Sequence, residues 1–132
     1  MLTYLWIALG SALGGMARYA CSTLIAQTFG GSFPWGTLLV NVVGSFVIGV
    51  FATLGGPDSR WPLSPDARLF VTVGLCGGYT TFSSFSLQTL DLMREGQAGP
   101  AIGNAAASVA LCLLSVWAGV AAGHLLNGAR PA

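Results

Sequence analysis

The run Gly78-Tyr79-Thr80-Thr81-Phe82-Ser83-Ser84-Phe85-Ser86 sets hydroxyl donors and two aromatic rings side by side in a stretch that is otherwise strongly apolar. Phe82 and Phe85 stand one helical turn apart and share a face, while Thr81, Ser84 and Gln88 form the adjacent stripe. Aromatic rings carry a positive edge, so two rings presented edge-on can touch a small anion without the fixed cation that would hold it too tightly. Hydroxyl and amide donors would supply the rest of the coordination. Packing within a core is the ordinary use of such a ring pair, and the surrounding residues decide between the two. Just before the rings, Gly77 and Gly78 carry a high helix cost and Tyr79, Thr80 and Thr81 are poor helix formers, so a break over Gly77 to Thr81 is predicted. Unpaired backbone in an apolar setting persists only where it is buried in protein, lines water or binds an ion, which makes the break a candidate ion site.

The elements that must position these groups are membrane helices. The chain has 132 residues, 54% hydrophobic and only 7% charged, and it contains no lysine. Its mean hydropathy is +0.73. A soluble domain of this size needs far more charge to coat its surface, so the solvent around most of it must be lipid. Charge-free runs long enough to cross a hydrocarbon core predict four spans, at about residues 3–27, 35–55, 67–94 and 99–126. The connecting stretches FGGSFPWG, GGPDSRWPLSPDAR and REGQAGP carry the Gly, Pro and charges of interfacial turns. The spans use up the chain as a single transmembrane domain. No basic residue precedes the first span, which is therefore read as retained and not as a cleaved signal peptide.

Polar residues fall in register along these helices. Ser11, Gly15, Arg18 and Ser22 share a face in the first span; Thr37, Asn41 and Ser45 do so in the second, and Asn104, Ser108, Cys112 and Ser115 in the fourth. Single Ser and Thr residues commonly bond their own i−4 carbonyls and act as helix glue. Asn41 and Asn104 are different, because a full amide without partners in hydrocarbon costs several kcal/mol. Arg18 is the only charge well inside a span. It either snorkels to the interface or faces an aqueous vestibule and draws anions in.

The acidic residues Asp58, Asp66, Asp91 and Glu95 all map to loops or span ends. A proton-coupled exporter of cations needs a carboxylate at membrane depth, so that class is disfavoured. A coupled exporter of another small solute and a non-transporting scaffold stand as the alternatives to a channel. No nucleotide-binding motif, acid/base pair or nucleophile site is visible, which argues against an enzyme. Cys21, Cys76 and Cys112 lack any ligand spacing and are read as small hydrophobes with no redox or metal role. His124 is read as interfacial filler. With an even number of spans, Arg60, Arg68 and Arg130 lie on one side and Arg94 on the other, too thin a bias to fix one orientation.

The segments GGMARY at 14–19, PWGTLLVNVVGSFVIG at 34–49 and GLCGGYTTFSSFS at 74–86 together resemble the Fluc (CrcB) family of fluoride channels, in the same order and over nearly the whole length. The resemblance implies an all-α membrane protein of four transmembrane helices, the third broken near its middle, assembled as an antiparallel dual-topology homodimer. It implies passive fluoride export across a bacterial plasma (inner) membrane, through two pores lined by both chains. A structural sodium ion would sit on the backbone carbonyls of Gly77 and Thr80. Phe82 and Phe85 would be the pore aromatics and Asn41 an amide donor, with Thr37, Thr81, Ser84 and Ser108 as the polar track and Arg18 at a vestibule. Two departures are visible: Gln88 stands where the family usually has Glu, and Asn104 stands where a pore-lining Tyr is expected.

Overall fold

The computed structural model describes residues 1–128, so Arg130 lies outside the described residues. Among them every regular element is helical. Helix α1 spans Leu2–Phe29 and stops at Gly30, whose φ of 85° carries the chain out of the helix while its amide closes onto the Ala26 carbonyl. Helix α2 spans Trp35–Leu54, directly after Pro34. The third predicted span is composite: α3 (Pro65–Leu69), a π-helical segment (Phe70–Cys76), α4 (Gly77–Tyr79) and, beyond a break, α5 (Phe82–Arg94). Pro65 at the first turn and the Ser64 hydroxyl, which accepts from the Ala67 amide, start α3. Helix α6 spans Ala98–Asn127.

Trp35–Leu54 and Ala98–Asn127 are each long and apolar enough to cross a membrane, yet only 28% and 11% of their most apolar windows is buried. Helices this apolar would be mostly covered in a soluble core. Here Leu113, Leu114 and Trp117 point outward from α6. The outward apolar faces require a lipid surround, and the chain is an integral membrane protein.

Without water to expel, such helices hold together by backbone approach at small residues. A Cβ on Gly119 would strike the Phe46 carbonyl of α2, and one on Gly49 would strike the Val116 carbonyl of α6. The Ser115 hydroxyl adds a 2.7 Å bond to the Val42 carbonyl across the same seam. Helix α1 packs in the same manner on the third span: a Cβ on Gly10 would lie 2.6 Å from the Phe70 carbonyl oxygen, and one on Gly78 would lie 2.9 Å from the Ser11 Cα.

That packing corrects the predicted position of the break. Gly77 and Gly78 remain helical in α4, and the chain leaves the helix only at Thr80 (φ −81°, ψ 158°) and Thr81 (φ −154°, ψ 114°). The helix cost of glycine, about 1 kcal/mol, is offset at Gly78 because only a residue without a side chain allows α1 to approach. The π-helical winding just before it has no marker in the sequence.

Candidate functional site

The site is organised around Thr81. In a continuous helix its amide would bond the Gly77 carbonyl, but it donates instead to Asn41 Oδ1 at 2.8 Å. Asn41 Nδ2 returns a 3.0 Å bond to the Thr81 carbonyl. One side chain from α2 therefore satisfies both backbone groups of the residue at the break. The Thr81 hydroxyl completes the arrangement as the N-cap of α5, accepting from the Ser84 amide at 3.2 Å and lying 3.1 Å from Ser84 Oγ. Because that amide is taken, the Thr80 carbonyl also loses its helical partner. The carbonyls of Gly77, Gly78, Tyr79 and Thr80 are thus left without their helical donors, those of Gly77 and Thr80 because Asn41 and Thr81 take the amides.

Two cavities meet at Thr81. The first, about 730 Å³, is lined by Arg18, Thr37, Thr81, Ser84 and Gln88 among others. The second, about 460 Å³, is lined by Asn41, Gly77, Thr80, Thr81, Phe82, Phe85 and Ser108 among others. Every residue singled out in the sequence for the ion path lines one of these spaces, and Thr81 lines both. Arg18 shares the first space with the Thr37, Thr81 and Ser84 hydroxyls. The Gln88 Oε1 atom is buried without a hydrogen-bond partner.

In the second cavity the Phe82 and Phe85 rings lie 5.2 Å apart with their planes inclined at 47°. Phe82 is 77% exposed on the single chain, so nothing in this subunit covers it. Ser108 is the converse: it is 8% exposed, and its Oγ has no hydrogen-bond partner. A buried hydroxyl without a partner costs free energy unless a ligand or water meets it. Neither cavity is lined by an acidic side chain.

Asn104 does not join them. It is 1% exposed, and its Nδ2 donates to the Thr89 hydroxyl at 2.8 Å, which in turn bonds the Phe85 carbonyl at 2.7 Å. This chain of bonds fastens α5 to α6 behind the rings. Asn104 lines neither cavity of the single chain, and its Nδ2 is engaged in docking α5 to α6. The sequence reading also missed part of the second lining. Ser45 and Cys112 belonged to stripes already noted, whereas Thr72 and Cys76 come from the π-helical segment and gave no signal.

The sequence profile described as "CrcB-like protein, Camphor Resistance (CrcB)" matches residues 5–120. The chain belongs to the CrcB family. Three relatives, each named "Fluoride-specific ion channel FluC", align with nearly the whole CrcB chain. The protein of Methylocella silvestris is 58% identical over 89% of this chain and 90% of its own length. That of Opitutus terrae is 55% identical over 98% of both, and that of Rhodospirillum rubrum is 56% identical over 96% of this chain and 98% of its own. Within this CrcB chain, the arrangement can offer a small anion neutral donors and ring edges on one side of Thr81 and a single cation, Arg18, on the other.

Proposed function

We propose that this protein is a fluoride-selective channel, not an enzyme, which lets fluoride leave the cytoplasm passively. The observation that carries this reading is the Asn41–Thr81 pairing, which holds open a helix break at the residue where two cavities meet. Three close relatives named as fluoride-specific channels support the ion's identity. Fluoride is small and strongly hydrated, so its pathway must replace water with close donors yet bind weakly at several places. Thr37, Asn41, Thr81, Ser84 and Ser108 are such donors, Phe82 and Phe85 offer ring edges, and Arg18 attracts anions into the first cavity. Export coupled to protons is not favoured, because no carboxylate lines either space.

The finer architecture follows from the same reading. The chain crosses a bacterial inner membrane four times as one domain, with the third span broken at Thr80 and Thr81. A second, antiparallel copy covers the exposed Phe82 and completes the pore walls; the thin arginine bias suits insertion in both orientations. A sodium ion fits the carbonyls of Gly77 and Thr80. Hard cations favour oxygen ligands, and these two oxygens are those whose helical donors have been drawn away by Asn41 and Thr81. Bound there, sodium would supply positive charge beside the path without an ionised side chain.

The test is fluoride efflux from proteoliposomes, read with a fluoride electrode. Release above protein-free vesicles, with chloride retained, is the expected result. Absence of release, or chloride leaking as fast as fluoride, overturns the proposal.

A further inference from the structure

The cysteines stand too far apart in sequence to suggest a site, but the fold carries two of them to one space. Cys76, on the π-helical segment, is 3% exposed. Cys112, one turn beyond Ser108 on α6, is half-buried. Both line the 460 Å³ cavity that holds Asn41, Phe85 and Ser108. Both are free thiols. Ser108, whose buried hydroxyl has no partner, lines the same cavity.

Thiolate sulfur selects soft cations over hard ones. A structural zinc site asks for four nitrogen or sulfur ligands, and no group of three His, Cys, Asp or Glu residues that could hold a metal occurs among the described residues. Two sulfurs alone suit a soft ion that binds linearly, such as Hg(II), Ag(I) or Cu(I). A coordinating thiol is deprotonated by the metal itself. We propose that Cys76 and Cys112 form a two-thiol site for a soft, linearly coordinating cation, and that its occupancy closes the ion path. The proposal rests on the channel reading for its effect on flux, though not for binding. With mercuric chloride, two S–H and two Hg–Cl bonds break, two S–Hg bonds form, and two protons and two chloride ions leave to water; no electrons are transferred. The bridged metal then fills the space beside Asn41 and the ring pair.

The experiment uses mercuric chloride on the purified full chain, read in two ways. In fluoride-loaded proteoliposomes, mercury should abolish efflux of the wild type and of Cys21→Ser, and excess dithiothreitol should restore it. The Cys76→Ser/Cys112→Ser double variant should give the same flux with and without mercury. Efflux of the wild type that is indifferent to mercury, or a double variant that is still blocked, overturns the proposal. By intact mass, Cys21→Ser should gain one mercury and lose two protons, and adding either Cys76→Ser or Cys112→Ser to it should abolish this bridged adduct. Separate mercury adducts on Cys76 and Cys112, or a bridged adduct that survives Cys112→Ser in the Cys21→Ser background, overturn it as well. If untreated protein releases no fluoride, the channel reading fails by itself, and the mass measurement still decides the thiol site.

Discussion

Replacing Asn41 by Leu removes both bonds that hold Thr81 out of the helix. The 2.8 Å bond to the Thr81 amide and the 3.0 Å bond from the Asn41 amide to the Thr81 carbonyl are lost together, while side-chain volume is nearly kept. Each stranded backbone group in a dry setting costs roughly 1–3 kcal/mol, so the broken conformation loses roughly 2–6 kcal/mol of support. The chain has one cheap escape, because the Thr81 amide can return to the Gly77 carbonyl and extend α4 by a residue. That escape swings α5, displaces Phe82 and Phe85, and reoccupies an oxygen assigned to sodium. A loss of about 2 kcal/mol lowers the ratio of the broken to the continuous form about 30-fold, so a broken form favoured by that same margin falls from nearly full to about half occupancy. Fluoride efflux per reconstituted Asn41→Leu protein should fall at least about twofold, and far more at the upper figure, with the protein still monodisperse by size exclusion. Wild-type flux from this variant would show that the pairing does not maintain the path.

Other substitutions separate transport from assembly. Phe82→Ile and Phe85→Ile should each cut fluoride efflux strongly while leaving a monodisperse protein; unchanged flux in either would remove that ring from the path. Ser108→Ala should lower flux without lowering thermal stability in detergent, because its Oγ makes no hydrogen bond to lose; a clear drop in melting temperature would reveal a bond in the assembled protein instead. Gly119→Ala should cost about 1–3 kcal/mol through overpacking, since its methyl would strike the Phe46 carbonyl, and the yield of monodisperse protein reports it. Asn104→Ala should destabilise the protein by about 1 kcal/mol through its lost bond to Thr89; full stability there would contradict its assignment as a helix fastener.

The polar residues that line the two cavities were legible because their chemistry conflicts with their surroundings. Hydroxyls, an amide and an arginine in apolar helices must be facing something, and their helical registers placed them on common faces before any tertiary contact was known. What those groups bind within the protein was not legible. The Asn41–Thr81 pairing joins residues 40 apart in sequence, so Asn41 could be read as a donor but not as the clamp that sets the break. Gly78 was misread for the same reason. Its cost to the helix is local and visible, whereas the approach of Ser11 that makes glycine necessary is tertiary. The π-helical winding of Phe70–Cys76 carried Thr72 and Cys76 into the second cavity, and no residue type in that segment marks the change of pitch.

The neutrality of the second cavity follows from the work a channel has to do. A fixed unit charge 4 Å from a fluoride ion interacts by about 4 kcal/mol at an effective dielectric constant near 20, enough to prolong its stay about a thousandfold. Neutral donors contribute about 1 kcal/mol each in net terms, and several can act in sequence. Among the residues lining this space there is no ionisable acid or base other than the two thiols. Arg18 stands in the other cavity, beyond Thr81, where attraction can raise the local anion concentration without fixing an ion at the narrowest point. The proposed sodium site on the carbonyls of Gly77 and Thr80 would extend the same economy, because a cation held by backbone oxygens would lend positive potential to the break with no ionised side chain in the membrane. Moving a charge across that wall is therefore the most informative perturbation of the design. Ser108→Lys should hold fluoride and slow its efflux, whereas Ser108→Thr, which keeps the hydroxyl, should conduct; equal rates in the two would mean that anions do not pass beside Ser108.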